Sequence, residues 1–145
     1  MLKKFTLVIL ISLINFINTN ASENLFEKAK KNFEKKDYDK SKFLFQRNIV
    51  FNPKNAESYL YLAKIFKTEE NQEEEEKNLD TTLLLEPNNE EAIYMLINIQ
   101  LDRSNFDKAN TLMERFTSVC KKMCNKKIEI SKSLQDIEAN NEKTN

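Results

Sequence analysis

The stretch Asn48-Ile49-Val50-Phe51-Asn52-Pro53-Lys54-Asn55 returns in kind 34 positions later as Thr82-Leu83-Leu84-Leu85-Glu86-Pro87-Asn88-Asn89. In both, an apolar run meets a proline, and asparagine follows within two residues. Proline cannot continue a helix, and asparagine accepts a hydrogen bond from the free amides that open one. Each stretch therefore reads as the end of one helix and the start of the next, and the spacing defines a unit of 34 residues. A further shift of the same length predicts a third unit ending near Lys121.

Other columns keep the frame. Asp37, Asn71 and Asn105 share the 34-residue spacing and read as helix caps. Asp39, Glu73 and Asp107 follow two residues later, in the first turn, where the helix dipole favours negative charge. Glu23, Glu57 and Glu91 repeat that logic at the other helix of each unit, with Asn55 and Asn89 as caps before them. Apolar columns recur as Leu25, Tyr59 and Ile93, as Phe45, Leu79 and Met113, and as Phe51, Leu85 and Val119. The periodicity predicts helix pairs over 23–35 and 38–51, 56–68 and 72–85, 90–102 and 106–119. A last helix is expected near 126–139, carrying Ile128, Ile130, Leu134 and Ile137, before a disordered polar tail over 140–145.

These residues resemble the tetratricopeptide repeat family, a helix-turn-helix of 34 residues with fixed packing positions and a terminal proline. Tyr59, Leu62, Ala63, Phe66 and Pro87 match in the second unit; Ala29, Tyr38, Ser41, Phe45 and Pro53 in the first; Leu96, Phe106, Ala109 and Met113 in the third. The departures are Lys28 in place of leucine, Glu75 in place of alanine, Ile97 in place of a small residue, and the lack of any turn glycine. Ile97 is expected to widen the third hairpin. The resemblance implies an all-α chain: an α-solenoid of three units, about 22–55, 56–89 and 90–121, closed by a capping helix. It also implies an inner wall for a partner, built from Phe26, Lys30 and Phe33, from Leu60, Tyr61, Lys64 and Lys67, and from Tyr94, Met95, Asn98 and Leu101. The subclass that grips a chaperone's terminal carboxylate is not implied, because Phe26, Tyr61, Glu91 and Met95 stand at its clamp positions.

Composition narrows the chemistry. The chain has 145 residues, no glycine, no histidine and no tryptophan. Glycine-rich phosphate loops are excluded, and the commonest proton shuttle and metal ligand is missing. No carboxylate pair or nucleophile-base set stands out from the surface charge, so neither an enzyme nor a cofactor is expected. The start of the chain, Lys3 and Lys4, a largely apolar run from Phe5 to Ile17 and Thr19-Asn20-Ala21, has the form of a secretory signal with a cut after Ala21. The run is short against the roughly 20 apolar residues that span a bilayer. Export to the periplasm of an AT-rich bacterium is the expectation, with retention as an inner-membrane anchor the alternative. Without residues 1–21 the chain holds 21 basic and 23 acidic side chains, which gives no reason to expect nucleic acid.

Lysines crowd the first unit, whereas Glu69, Glu70 and Glu73 to Glu76 crowd the turn of the second, a polarity that could steer a partner or self-association. Cys120 and Cys124 are the only cysteines. In an oxidising compartment they are expected to pair, which favours a broken turn between residues 119 and 126. The sequence thus points to an exported adaptor that holds a protein or peptide segment. The alternative from another class is a thiol or copper(I) protein using the cysteine pair.

Overall fold

The computed structural model describes the backbone of residues 24–142 and the side chains of residues 24–135. The expected signal segment, Glu23 and the side chain of Ile137 lie outside the described residues. Among those described, all regular structure is helical: α1 (24–34), α2 (Tyr38–Phe51), α3 (Ala56–Thr68), α4 (Gln72–Leu85), α5 (Glu90–Asp102), α6 (Phe106–Val119) and α7 (Lys126–Glu142). The fold is an α-solenoid of three helical hairpins closed by α7. That last helix runs on to Glu142, through part of the stretch expected to be tail.

Caps explain most of the boundaries. Asp37, Asn55, Asn71 and Asn89 accept the amide hydrogens of Lys40, Ser58, Glu74 and Ala92. The spacing predicts a fifth cap of this kind at Asn105, yet its side chain makes no cap bond. It donates instead to Oε1 of the buried Gln100 at 3.0 Å. A buried amide left unpaired costs more than an exposed helix end, so the interior wins.

The missing turn glycines have a structural answer. Lys36, Glu70 and Ser104, again 34 apart, adopt φ of 61°, 56° and 55°. Each occupies the left-handed position after a first helix, and the next amide closes back onto the carbonyl five residues earlier: Asp37 to Asn32, Asn71 to Phe66, Asn105 to Gln100. Residues 37, 71 and 105 thereby end one helix and stand as N-cap of the next. Side chains with a Cβ carry a steric penalty there.

The core repeats with the chain. Phe26, Ala29, Phe45, Leu62 and Ile65 form one cluster between the first and second units. Leu60, Ala63, Leu79, Ile93, Leu96, Ile97, Ala109 and Phe116 belong to a second, which Ile130 and Leu134 of α7 complete. Helix α3 therefore faces both clusters at once. Lys28 now has a reason to differ from leucine: its counterpart Leu62 packs on the preceding unit, and the described first unit has no predecessor for position 28 to pack on. Ile97 is fully buried in the same cluster as Ala109, and the third hairpin's helices match the second unit's in length.

Glu75 takes the place of Ser41 and Ala109, which are fully buried, and is itself only 5% exposed. Its carboxylate makes no hydrogen bond or ion pair among the described residues. Because no buried side-chain oxygen there lacks a partner, its stem is buried while the carboxylate reaches water. Burial pushes its pKa up from 4.5, against the pull of Lys67 and with a further push from Asp102. A raised carboxylate pKa means that the ionised form disfavours the fold, and that this cost vanishes at acid pH. Glu75→Gln is expected to gain about 1 kcal/mol at pH 7, or about 4 °C in Tm. The gain should disappear in melts below pH 4.5. Ser104→Gly should independently raise Tm by relieving the left-handed backbone, by roughly 0.5 kcal/mol in denaturant titration.

Candidate functional site: the inner wall and the cysteine loop

The first helices of the units, α1, α3 and α5, supply the expected wall, but packing consumes much of it. Phe26, Leu60 and Met95 are buried in the core clusters. Leu101 is half-buried against the second cluster, and Phe33 and Tyr61 are half-buried against the first. The Tyr61 ring stacks on Phe45 with centroids 5.0 Å apart and meets Phe33 edge-on at 5.0 Å. These aromatic contacts tie α1, α2 and α3 together, so Tyr61 is a structural residue as well as a surface one.

The polar members are half-buried Lys30, Lys64 and Asn98 and exposed Lys67. Lys64 lies 2.8 Å from Glu91 of the next unit and 4.8 Å above the Tyr61 ring. Its charge is thus largely answered within the chain. Burial pushes the Tyr61 hydroxyl's pKa up, Lys30 pulls it down, and Glu57, Glu34 and Glu91 add to the rise. The wall is therefore mixed in charge, rather than the lysine-bearing aromatic surface expected from the sequence. Lys30 and Lys67 make no ion pair among the described residues.

Helix α7 covers the third unit's share. The Tyr94 hydroxyl donates to Glu129 at 2.7 Å, Lys126 sits 5.3 Å over the Tyr94 ring, and Phe116 packs behind it. Lys126 also pairs with Glu129 at 2.6 Å. Tyr94 is therefore engaged by the first turn of α7, while Ile130 and Leu134 of the same helix cap the apolar edge of the third unit.

The path into α7 runs through the broken turn expected at the cysteines, held by an anchor that the sequence did not reveal. The helix breaks after Val119, and Cys120 takes an extended conformation. Cys120 and Cys124 lie at disulfide distance, with Cα atoms 5.2 Å apart, inside the range a bridge requires. The amides of Lys121, Lys122 and Met123 then turn inward and donate to the Glu90 carboxylate at 2.7, 3.0 and 3.1 Å. Burial pushes the Glu90 pKa up, but these backbone donors together hold it below 4.5. The only sequence hint was a carboxylate in the first turn of α5, which dipole considerations alone would explain. A cavity of about 690 Å³ opens beside this loop, between Glu57 and Leu60 on α3, the Glu86–Glu91 turn, and Lys121, Lys122 and Met123. Among the described residues, no group of three or more cysteine or carboxylate ligands could hold a metal ion.

A second network fixes the junction of units two and three. Glu76 accepts from Gln100 and Lys108 and pairs with Arg103, which also donates to Gln72. Burial raises the Glu76 pKa, but Arg103 and Lys108 outweigh it and leave it lowered. Lys42 meets Glu69 at 2.6 Å across the first junction. Part of the polarity seen along the sequence is thus spent inside the array.

The arrangement has many counterparts among solved structures. The Yersinia enterocolitica type III secretion chaperone SycD, in complex with a peptide of the translocator YopD, superposes with a TM-score of 0.72 at 12% identity, over 84% of this chain and 95% of that one. This is the tetratricopeptide fold. The Arabidopsis OM64 TPR domain gives 0.71 at 19% identity over 82% and 98% of the two chains. The first TPR of Spaghetti (RPAP3), bound to the HSP90 peptide SRMEEVD, gives 0.67 at 17% over 79% and 93%. No protein-family model matches the sequence, and no curated protein matches it.

The lowered pKa of Glu90 means stability that is present above its ordinary value and lost as pH falls through the folded one. In hydrogen exchange, the amides of Lys121, Lys122 and Met123 should be protected at pH 7 and lose protection only below pH 4.5. Glu90→Gln should expose them at both, since a neutral amide offers one oxygen and no charge.

Proposed function

We propose that this chain is an exported adaptor that holds a segment of another protein along its inner wall and catalyses no reaction. The observation that carries the reading is the tetratricopeptide array itself, shared with a secretion chaperone and with RPAP3, both solved with peptides bound. Stacked helical pairs present a continuous wall formed by their first helices, and such a wall suits an extended peptide or an amphipathic helix. In this chain α7 engages Tyr94, so the accessible stretch runs over the first two units, past Lys30, Phe33, Tyr61, Lys64 and Lys67. Apolar anchors of the partner would meet the edges of Phe33 and Tyr61, and its carboxylates would meet Lys30 and Lys67.

Export is part of the proposal. It is supported by the basic and apolar start of the chain and by the geometry of Cys120 and Cys124, which suits a bridge formed in an oxidising compartment. The bridge fixes the loop that seats on Glu90 and aims α7 at the third unit. Its role is structural, and no observation favours the copper or thiol-exchange alternative.

Tyr61 and Tyr94 are poor probes of binding, because both serve the fold. A photo-activatable cross-linker placed at position 30 or 67 of the full chain, in its native host, should capture a discrete partner identifiable by mass spectrometry. The same group at Thr81, on the outer helix α4, should not. Lys30→Glu with Lys67→Glu should reduce capture while circular dichroism stays unchanged. Equal capture from Thr81 would remove the wall from the proposal. Thiol titration of the protein recovered from cells should find no reactive sulfhydryl, and two would contradict export with pairing.

A further inference from the structure

One face of the molecule breaks the repeat. On α2, Phe43, Val50 and Phe51 are 56%, 77% and 51% exposed. With Arg47 they stand at i, i+4, i+7 and i+8, one stripe along a helix about 21 Å long. Their counterparts one unit later are Lys77, Thr81, Leu84 and Leu85, and two units later Thr111, Arg115, Ser118 and Val119. Leu84 is exposed as well, but it stands alone, and Leu85 and Val119 are half-buried. The repeat therefore does not demand an apolar outer surface. The first unit has one of its own.

The setting of the stripe is basic. Arg47 lies 5.7 Å over the Phe43 ring, and Lys28 and Arg47 border a shallow hollow of about 250 Å³ beside Phe51. Lys40 shares the face and Lys54 follows it in the next turn, both exposed, whereas Asp39 is its one carboxylate. Such a face is badly matched to a second copy of itself, since closing them together would oppose two positive surfaces. Apolar side chains set among cations match the interface of an anionic bilayer, where acyl chains take the former and lipid phosphates the latter.

We infer that the outer face of α2 is a membrane-docking surface for anionic phospholipid, engaged through Phe43, Val50 and Phe51 with Lys40 and Arg47 on phosphate. Docking through a second helix leaves the wall formed by the first helices clear of the bilayer, so the inference stands apart from the adaptor reading.

The full chain can be tested, because it contains no tryptophan. Phe51→Trp places a single indole in the stripe, and its emission reports contact with lipid at that point whatever the apolar start of the chain does. Vesicles of phosphatidylcholine with phosphatidylglycerol should shift the emission to the blue, and brominated acyl chains should quench it. Vesicles of phosphatidylcholine alone should do neither. Adding Arg47→Gln should weaken the quenching equilibrium about fivefold, the share of one cation near such a surface. Adding Phe43→Ser and Val50→Ser should abolish it without loss of helicity, since both side chains are already mostly exposed. An emission spectrum indifferent to anionic vesicles would overturn the inference. So would a blue shift that grows with protein concentration in the absence of lipid, which would assign the face to self-association.

Discussion

Everything in this molecule depends on the first helix of a unit being packed from two sides. Helix α3 sends Leu62 and Ile65 into the cluster shared with the first unit, and Leu60 and Ala63 into the cluster shared with the third. Neither hairpin could bury its apolar positions alone, because each offers faces that only a neighbour can cover. The 34-residue period is the covalent record of that requirement. Any insertion would rotate the next helix and expose a face that the stack needs. Among the described residues the third unit is followed by α7, which supplies Ile130 and Leu134 where a further unit would pack.

The same requirement shapes the candidate binding wall. A helix buried on two sides has little surface left, so Phe26, Leu60 and Met95 belong to the interior although they sit on wall-forming helices. What remains is a narrow, mixed strip where Lys64 answers Glu91 and the Tyr61 ring bridges core and surface. Glu90 then acts at a distance from that strip. By gathering three loop amides it fixes the short connection through the cysteines, and with it the line along which α7 reaches Tyr94.

Polar groups at the junctions supply registry beyond what apolar contact gives. Asn48 donates to Ser58 at 2.8 Å in the buried seam between the first two units, and the Glu76 network performs the same task at the next seam. Paired buried polar groups penalise sliding, because a shift leaves them unsatisfied. Glu75 is the exception to this economy: a carboxylate at a position built for a small side chain, tolerated because its head escapes to water.

The sequence by itself determined the helices, their pairing and the boundaries from α2 to α6, because caps, prolines and apolar columns are local signals repeated in step with a fixed geometry. It also marked the cysteine pair and the break it favours. Only the tertiary structure decided which side chains of the first helices remain at the surface, that Asn105 turns inward to Gln100, and that Glu90 holds the loop before α7. Those outcomes rest on contacts between residues some five to 35 positions apart, where competing partners settle the matter. A periodic pattern tells which face a residue occupies, but the neighbour that reaches it is fixed by how the units stack.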